Sequence, residues 1–204
     1  AATQGQGGVT LEHAFSGGQV VRATGWAAWR DLYNPIPFRI IDLSRNAAGF
    51  RSEITGGRQA GSVPIHWTTG FDMSYQRDNR SEFGNAGVPT GGSSAERGSL
   101  RVKQLEEVRS LAPFAQVTLT LHPRWLATAG VRYDYYDFNA TDTFLTDGNQ
   151  SGGRTLDAMS PMAGVTFAAS DEMNLYANFS TAYQTPTTVE LSNKPCLLYT
   201  SPSP

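Results

Sequence analysis

Residues 65–76 read Ile65-His66-Trp67-Thr68-Thr69-Gly70-Phe71-Asp72-Met73-Ser74-Tyr75-Gln76 and alternate with a period of two. The odd positions carry apolar or aromatic side chains, with Thr69 as the exception, and the even positions carry polar side chains or glycine. Successive side chains of a β-strand point to opposite faces. The stretch therefore predicts a strand with one apolar face and one polar face.

The same alternation recurs along the chain, clearly in two further stretches and more weakly in five. The clear stretches are Leu111–His122 and Trp125–Tyr135, and the weaker ones are Val9–Phe15, Val20–Asp31, Ala48–Thr55, Pro161–Ala169 and Met173–Gln184. Many are close to the roughly 9 to 11 residues that a tilted strand needs to cross a bilayer. We predict an all-β chain, an antiparallel meander of about eight strands that forms part of a transmembrane β-barrel.

The connections between these strands alternate in length. Short links are expected at residues 16–19, 122–124 and 170–172, a somewhat longer one at 56–64, and long polar segments at 32–47, 77–108 and 138–160. Outer-membrane barrels have short periplasmic turns and long extracellular loops. Aromatic residues lie at the ends of the apolar faces, where we expect them at the depth of the lipid headgroups. They are Trp67, Tyr75, Trp125, Tyr133, Tyr135 and Tyr183.

Composition narrows the class of protein. The 204 residues carry a net charge of −2, only 17% charged residues and 21 glycines. No apolar run approaches the roughly 18 residues of a membrane-spanning helix, which excludes a helical membrane protein. The balanced charge argues against a nucleic-acid-binding protein. Because the chain opens at Ala1 without a methionine or a signal segment, we expect the natural N-terminus to lie upstream.

No motif for enzyme chemistry is present. His13, His66 and His122 lie far apart, and nucleophile, phosphate-loop and metal-finger patterns are missing, so we predict no enzyme, no cofactor and no metal or catalytic residue. The acidic and aromatic run at residues 133–139, followed by Asp142 and Asp147, suggests a calcium or glycan site. It lacks the order of a calcium loop, and a solvated strand end is the favoured interpretation.

Several charged residues fall on the polar side of the predicted strands. They are Arg22, Arg30, Arg51, Glu53, Asp72, Arg132 and Asp134. In a barrel such residues face the water-filled interior. We interpret them as charge ladders that brace the wall in preference to ligand contacts, and the ligand-binding residues stay unknown at this stage.

The C-terminal third carries a family resemblance. The segment Ser160-Pro161-Met162-Ala163-Gly164-Val165-Thr166-Phe167 is followed by Asn174-Leu175-Tyr176-Ala177-Asn178-Phe179-Ser180-Thr181-Ala182-Tyr183-Gln184-Thr185-Pro186-Thr187 and then Glu190-Leu191. It resembles a hairpin of TonB-dependent outer-membrane receptors. Ala129-Gly130-Val131-Arg132-Tyr133-Asp134, after the turn His122-Pro123-Arg124-Trp125, is similar to the preceding hairpin of that family.

The resemblance implies a barrel of about 22 strands closed by an N-terminal plug, located in the outer membrane of a Gram-negative bacterium. Such receptors import iron-siderophore complexes or similar scarce nutrients with energy from TonB. The chain would be a mid-barrel fragment. Its partners would be the lipid bilayer, a metal chelate as ligand, and the TonB complex through the missing N-terminal part, with no nucleic acid.

The resemblance also implies that long outer loops contact the ligand, and the segment at 77–108 is the longest. Its cations Arg80, Arg97, Arg101 and Lys103 are candidates to attract an anionic chelate. The carboxylates of the same segment offset them, namely Glu82, Glu96, Glu106 and Glu107.

Two other classes of protein remain open at the level of sequence. A passive outer-membrane porin shares the barrel and the alternation of loops but not the C-terminal hairpin. A soluble β-rich binding module, such as a lectin sandwich, would need to explain why the apolar side chains are so regularly one-sided.

The closing nine residues, Cys196–Pro204, break with the pattern upstream. They resemble one reading frame of a transposase-end adapter used in sequencing libraries. We therefore expect residues 1–195 to be a partial barrel domain and residues 196–204 a non-native tail, with a natural Pro/Ser tail as the alternative. Cys196, the single cysteine, then supports neither a disulfide nor a nucleophile.

Overall fold

A computed structural model of the chain describes residues 1–87 and 95–186. Eight strands form one antiparallel sheet in the order of the sequence, so each strand pairs with its neighbours along the chain. The strands are β1 (Ala2–Ala14), β2 (Val20–Ile36), β3 (Arg39–Ala60), β4 (Val63–Asn85), β5 (Arg97–His122), β6 (Trp125–Asp142), β7 (Gly152–Ala168) and β8 (Asn174–Ser180). The predicted eight-stranded meander is confirmed.

Helical structure in the described residues is limited to one 3₁₀ turn, Leu145–Asp147. No helix within 1–87 and 95–186 is long and apolar enough to cross a membrane.

The register places the predicted apolar residues on one face. Trp67 of β4 lies opposite Val117 of β5, which lies opposite Ala129 of β6. Directly opposed residues of antiparallel strands share a face. The neighbouring polar residues Thr118 and Thr128 are likewise opposed, on the other side of the sheet. We call these two surfaces the apolar face and the polar face, and the predicted orientation of the side chains is confirmed.

The apolar face is open and does not pack into a core. Met73 is 48% exposed and Val131 42%, and among the described residues only Ile40, Ala112 and Phe138 are buried apolar side chains. A soluble sandwich covers such a face with a second sheet. The open face does not favour the soluble-module alternative, and the exposure fits a face that lipid covers.

The two ends of the sheet differ, and the prediction of long loops needs correction. Residues 32–47 are not a loop, because β2 continues to Ile36 and β3 begins at Arg39. Residues 56–64 hold only a two-residue turn, where Gly61 adopts a φ of +63° that favours glycine. Residues 77–108 and 138–160 also belong largely to strands, so the connections there shrink to 86–96 and 143–151. Residues 88–94 lie outside the described residues.

The predicted long loops are largely strands because the strands extend beyond the membrane. β4 has 23 residues and β5 has 26, about twice the number that crosses a bilayer. Beyond the lipid both faces of a strand meet water, so the hydropathy alternation stops while the hydrogen-bonded ladder continues. We call the end with the connections after β2, β4 and β6 the loop end, and the opposite end the turn end.

The last strand is shorter than predicted, ending at Ser180 where Gln184 was expected. The amide of Thr181 still donates to the carbonyl of Pro161 at 3.1 Å. The reciprocal hydrogen bond cannot form because proline has no N–H. The ladder between β7 and β8 stops at this proline. The tail predicted at 196–204 lies outside the described residues and remains a prediction.

Candidate functional site

The polar face carries a row of charged side chains at the level of the apolar band. Their signs alternate across the sheet in the order Glu12, Arg22, Glu53, Arg51, Asp72, Arg132, Asp134. We call this row the charge ladder. It joins β1, β2, β3, β4 and β6, because each side chain faces a partner of opposite charge on its own or a nearby strand.

The distances show where the ladder is tight. At one end, Arg22 Nη2 lies 2.7 Å from Glu12 Oε2, and Arg22 Nη1 lies 3.1 Å from Glu53 Oε1. At the other end, Arg132 donates to Asp72 at 2.5 Å and to Asp134 at 2.9 Å. Arg51 connects these two ends of the ladder, because its Nη2 lies 3.3 Å from Glu53 Oε2 and its Nη1 lies 3.5 Å from Asp72 Oδ1.

Small residues on β4 and β5 make the ladder possible. Arg132 on β6 reaches Asp72 on β4 across β5, where Ala112 lies opposite Asp72 and is 3% exposed. The ring of Phe114 extends over Gly70, where a Cβ would come within 2.9 Å of the ring. This ring lies 4.8 Å from the Arg51 guanidinium carbon, so Arg51 gains a cation–π contact.

A second group of charges lies on the polar face of the strand extensions at the loop end. Arg45 makes two hydrogen bonds to Asp78, at 2.9 and 2.6 Å. Arg39 pairs with Glu82 at 2.7 Å, and Arg80 contacts both Glu82 and Glu106. We call these six residues the loop-end cluster. They are Arg39, Arg45, Asp78, Arg80, Glu82 and Glu106.

The carboxylates of the loop-end cluster are buried, with Asp78 at 1% and Glu82 and Glu106 at 3% exposure. Asp78 and Glu106 face each other across β4 and β5, an arrangement of like charges that is destabilising unless cations intervene. The hydrogen bond to Asp78 raises the pKa of Arg45 above its ordinary value, against the opposing effect of desolvation. No described buried side-chain N or O atom lacks a hydrogen-bond partner.

The charges predicted for the polar face are therefore mostly ladder members. Arg22, Arg51, Glu53, Asp72, Arg132 and Asp134 all belong to the charge ladder, as the bracing interpretation predicted. Arg30 is the exception, because it lies opposite Arg45 and makes no ion pair with a described carboxylate. Neither Glu12 nor the loop-end cluster as a unit forms a motif that is visible in the sequence.

The cations predicted to attract a ligand separate into two kinds. Arg80 is held in the loop-end cluster, and Arg97 pairs with Asp42 between the rings of Tyr33 and Phe83. Arg101 and Lys103 are exposed and make no ion pair with a described carboxylate. Only the second kind is left with a guanidinium or ammonium available for an anion.

The acidic run after Tyr133 behaves as a strand end, the favoured interpretation. Asp142 organises the connection that follows, because its carboxylate accepts hydrogen bonds from the amides of Phe144 and Gln150 at 2.8 and 2.9 Å. Asp147 accepts one from the Gln150 side chain. In the described part of the chain, no three Asp, Glu, His or Cys side chains gather to hold a metal ion.

The architecture by itself defines a class of protein. A meander of long strands with an uncovered apolar face and an ion-paired polar face is a section of an outer-membrane β-barrel wall. Residues 3–202 match the family model described as TonB dependent receptor-like, beta-barrel. The chain belongs to this family, whose members are outer-membrane transporters and not enzymes.

Solved structures agree on the fold. The chain is similar to the ferric-catecholate import receptor Fiu from E. coli in its open form, with TM-score 0.72 at 15% identity, over 91% of this chain and 36% of that one. It is also similar to the siderophore receptor PiuA from Acinetobacter baumannii, with TM-score 0.69 at 15% identity, over 88% of this chain and 32% of that one. The ferric citrate transporter FecA matches with TM-score 0.70 at 14% identity, over 87% of this chain and 27% of that one. The chain spans about a third of these receptors' length.

Proposed function

We propose that the full-length protein imports iron-siderophore complexes or a similar scarce nutrient across the outer membrane, with energy from TonB. The observation that carries the proposal is the match of the sheet, in strand order and over nearly its whole length, to a section of the receptor barrel. The similar structures bear the names of siderophore, ferric-catecholate and ferric citrate receptors, which supports an iron chelate as cargo.

In this proposal the chain contributes a barrel wall and part of the outer surface. The charge ladder and the loop-end cluster have their charges satisfied internally, so they hold neighbouring strands together and leave the passage of cargo to other parts of the protein. Residues 1–195 form the partial barrel domain, and residues 196–204 are a non-native tail. The closing plug and the segment that binds TonB belong to the N-terminal part of the full-length protein.

The transport proposal is tested with the full-length gene. It is expressed in iron-starved cells that lack their own receptors, and uptake of radioactive iron is measured for catecholate, hydroxamate and citrate chelates, with and without TonB. We expect uptake of one class of chelate that disappears without TonB. Uptake that persists without TonB, together with leakage of unrelated small solutes, would identify a passive porin.

Arg101 and Lys103 are the proposed attraction point for an anionic chelate at the loop end. The cluster neutralises Glu82 and Glu106, which removes two of the four carboxylates expected to offset these cations. We expect Arg101→Gln with Lys103→Gln to weaken binding of the transported chelate about threefold to tenfold, and less at high salt. Arg124→Gln, an exposed cation in a turn at the opposite end, is the matched control. Unchanged affinity of the double variant in equilibrium binding to whole cells would refute this assignment.

A further inference from the structure

Two arginines on the apolar face differ from the arginines of the charge ladder and of the loop-end cluster. Arg77 of β4 and Arg109 of β5 are exposed, and Arg77 lies two residues beyond Tyr75, an aromatic residue at the edge of the apolar band. Arg109 lies directly opposite Tyr75, with its guanidinium carbon 6.0 Å from the ring centre. Neither arginine has a described carboxylate oxygen within 4.0 Å, whereas every arginine of the ladder and the cluster is ion-paired.

Carboxylates are near these arginines but do not engage them. Glu107 lies opposite Arg77 in the register, yet its carboxylate accepts a hydrogen bond from the Tyr75 hydroxyl. Asp137 lies opposite Arg109 and makes no ion pair with it. Two guanidinium groups with free donors therefore flank one tyrosine at the height where the membrane surface is expected.

Two shallow grooves border Tyr75, and each is lined by one of these arginines. The first, about 740 Å³, is bounded by Trp29, Tyr75 and Arg77 over Ala27 and Ala48. The second, about 480 Å³, lies between Phe50, Met73, Tyr75 and Arg109 and is lined almost entirely by apolar surface. Each groove thus combines one arginine with mainly apolar surface, and the first also includes Gln6 and Asn46.

We propose that Tyr75, Arg77 and Arg109 form a binding site for a phosphorylated lipid of the leaflet at the loop end. The guanidinium groups bind the headgroup phosphate, for which the forked donors of arginine are suited. The acyl chains lie in the two grooves on either side of Tyr75. Charge complementarity and continuity with the lipid-covered face identify the occupant as a lipid.

The proposal is tested on the full-length receptor, freed of lipid in a non-ionic detergent and incubated with diphosphoryl lipid A. Bound lipid is counted by native mass spectrometry. We expect Arg77→Gln with Arg109→Gln to weaken binding about tenfold, because charge-assisted hydrogen bonds to the phosphate are lost. Arg58→Gln is the matched control, since Arg58 is an exposed arginine of the same face at the turn end, opposite Ile65.

Two further probes separate the lipid from other occupants. Lipid A stripped of its phosphates should bind at least tenfold more weakly to the unaltered receptor, and inorganic phosphate at millimolar concentration should not displace diphosphoryl lipid A. Heat-dependent gel mobility verifies that each variant is a folded barrel. Should the double variant not fold, the single variants Arg77→Gln and Arg109→Gln are each expected to weaken binding about threefold.

Several outcomes would overturn the lipid site. They are unchanged binding in the arginine variants, equal weakening by Arg58→Gln, and equal affinity for the stripped lipid. Full displacement by inorganic phosphate would instead indicate a site for a free anion.

Discussion

At the scale of single residues, the two faces of one strand make opposite demands. Val117 lies opposite Trp67 and Ala129 on the apolar face, while the hydroxyl of Thr118, the next residue, lies 3.1 Å from that of Thr128 on the polar face. An arginine side chain at position 117 would be placed in lipid, and one at position 118 in the hydrated interior of the barrel.

We therefore expect Val117→Arg to destabilise the full-length protein by about 2 to 4 kcal/mol and Thr118→Arg by much less. The measurement is reversible refolding into lipid vesicles with denaturant titration. Val131→Arg and Thr128→Arg provide a second pair on β6. Equal tolerance at 117 and 118 would show that Val117 does not face lipid.

The charge ladder makes a second contrast at the residue scale. Arg132 is the cation shared by Asp72 and Asp134, and Asp134 is 7% exposed, so removing Arg132 leaves a nearly buried carboxylate without a partner. We expect Arg132→Met to cost about 2 kcal/mol of unfolding free energy. Arg30→Met, which breaks no ion pair with a described carboxylate, should change it by less than about 0.5 kcal/mol.

The comparison uses denaturant titration in vesicles for both variants. Similar losses for Arg132→Met and Arg30→Met would mean that the ladder contributes no specific stability. A loss at Arg132 alone supports the bracing interpretation.

At the scale of elements, the strand extensions are stabilised by ion pairs, whereas the lipid-covered parts of the strands are stabilised by the bilayer. β3, β4 and β5 continue together beyond the band. Asp78 is hydrogen-bonded there to Arg45 and Gln76. Backbone hydrogen bonds between strands that lie in water and have few buried apolar contacts open locally more readily than those in lipid.

We expect Asp78→Ala to accelerate amide hydrogen exchange at least about tenfold in residues 39–45 and 78–85, because Arg45 loses its principal partner. Residues 65–75 should remain protected. Asn79→Ala, an exposed neighbour on the same strand, is the control and should leave both regions unchanged. Exchange that rises equally in the lipid-covered part would mean that the extension and the band unfold as one unit.

At the scale of the whole molecule, the described part of the sheet has two open edges and one uncovered apolar face. Within residues 1–87 and 95–186, β1 and β8 each pair on one side only, and the apolar face carries large exposed side chains such as Leu11, Met73 and Phe179. Unpaired strand edges and extended apolar patches drive association in water.

Residues 1–195 alone in aqueous buffer are therefore expected to aggregate or remain unfolded, while the full-length protein folds in detergent to a heat-resistant barrel. Circular dichroism and sedimentation measure both outcomes. A soluble monomer of residues 1–195 that unfolds cooperatively would contradict the need for lipid and for the remaining strands.

The alternation in residues 65–76 was sufficient to predict β4 and its two faces. In a barrel wall each side chain faces either lipid or water, so apolar and polar residues alternate along the strand. The same rule predicted the number and order of the strands. It did not reveal residues 77–85 as strand, since Arg77 and Asn79 on one face and Asp78 and Arg80 on the other are all solvent-compatible. A pattern based on hydropathy has no contrast to detect there.

Partner choice followed a different rule. Arg132 and Asp72 are 60 residues apart, and they meet because the register of β5 places the small Ala112 between them. Arg109 lies beside Tyr75 for the same reason, whereas Arg77 is on the same face simply because it is two residues along the same strand. Local sequence established what each face could tolerate, because burial in lipid acts on every residue separately. Which charges meet depends on strand register, a property of the assembled sheet that no single segment contains.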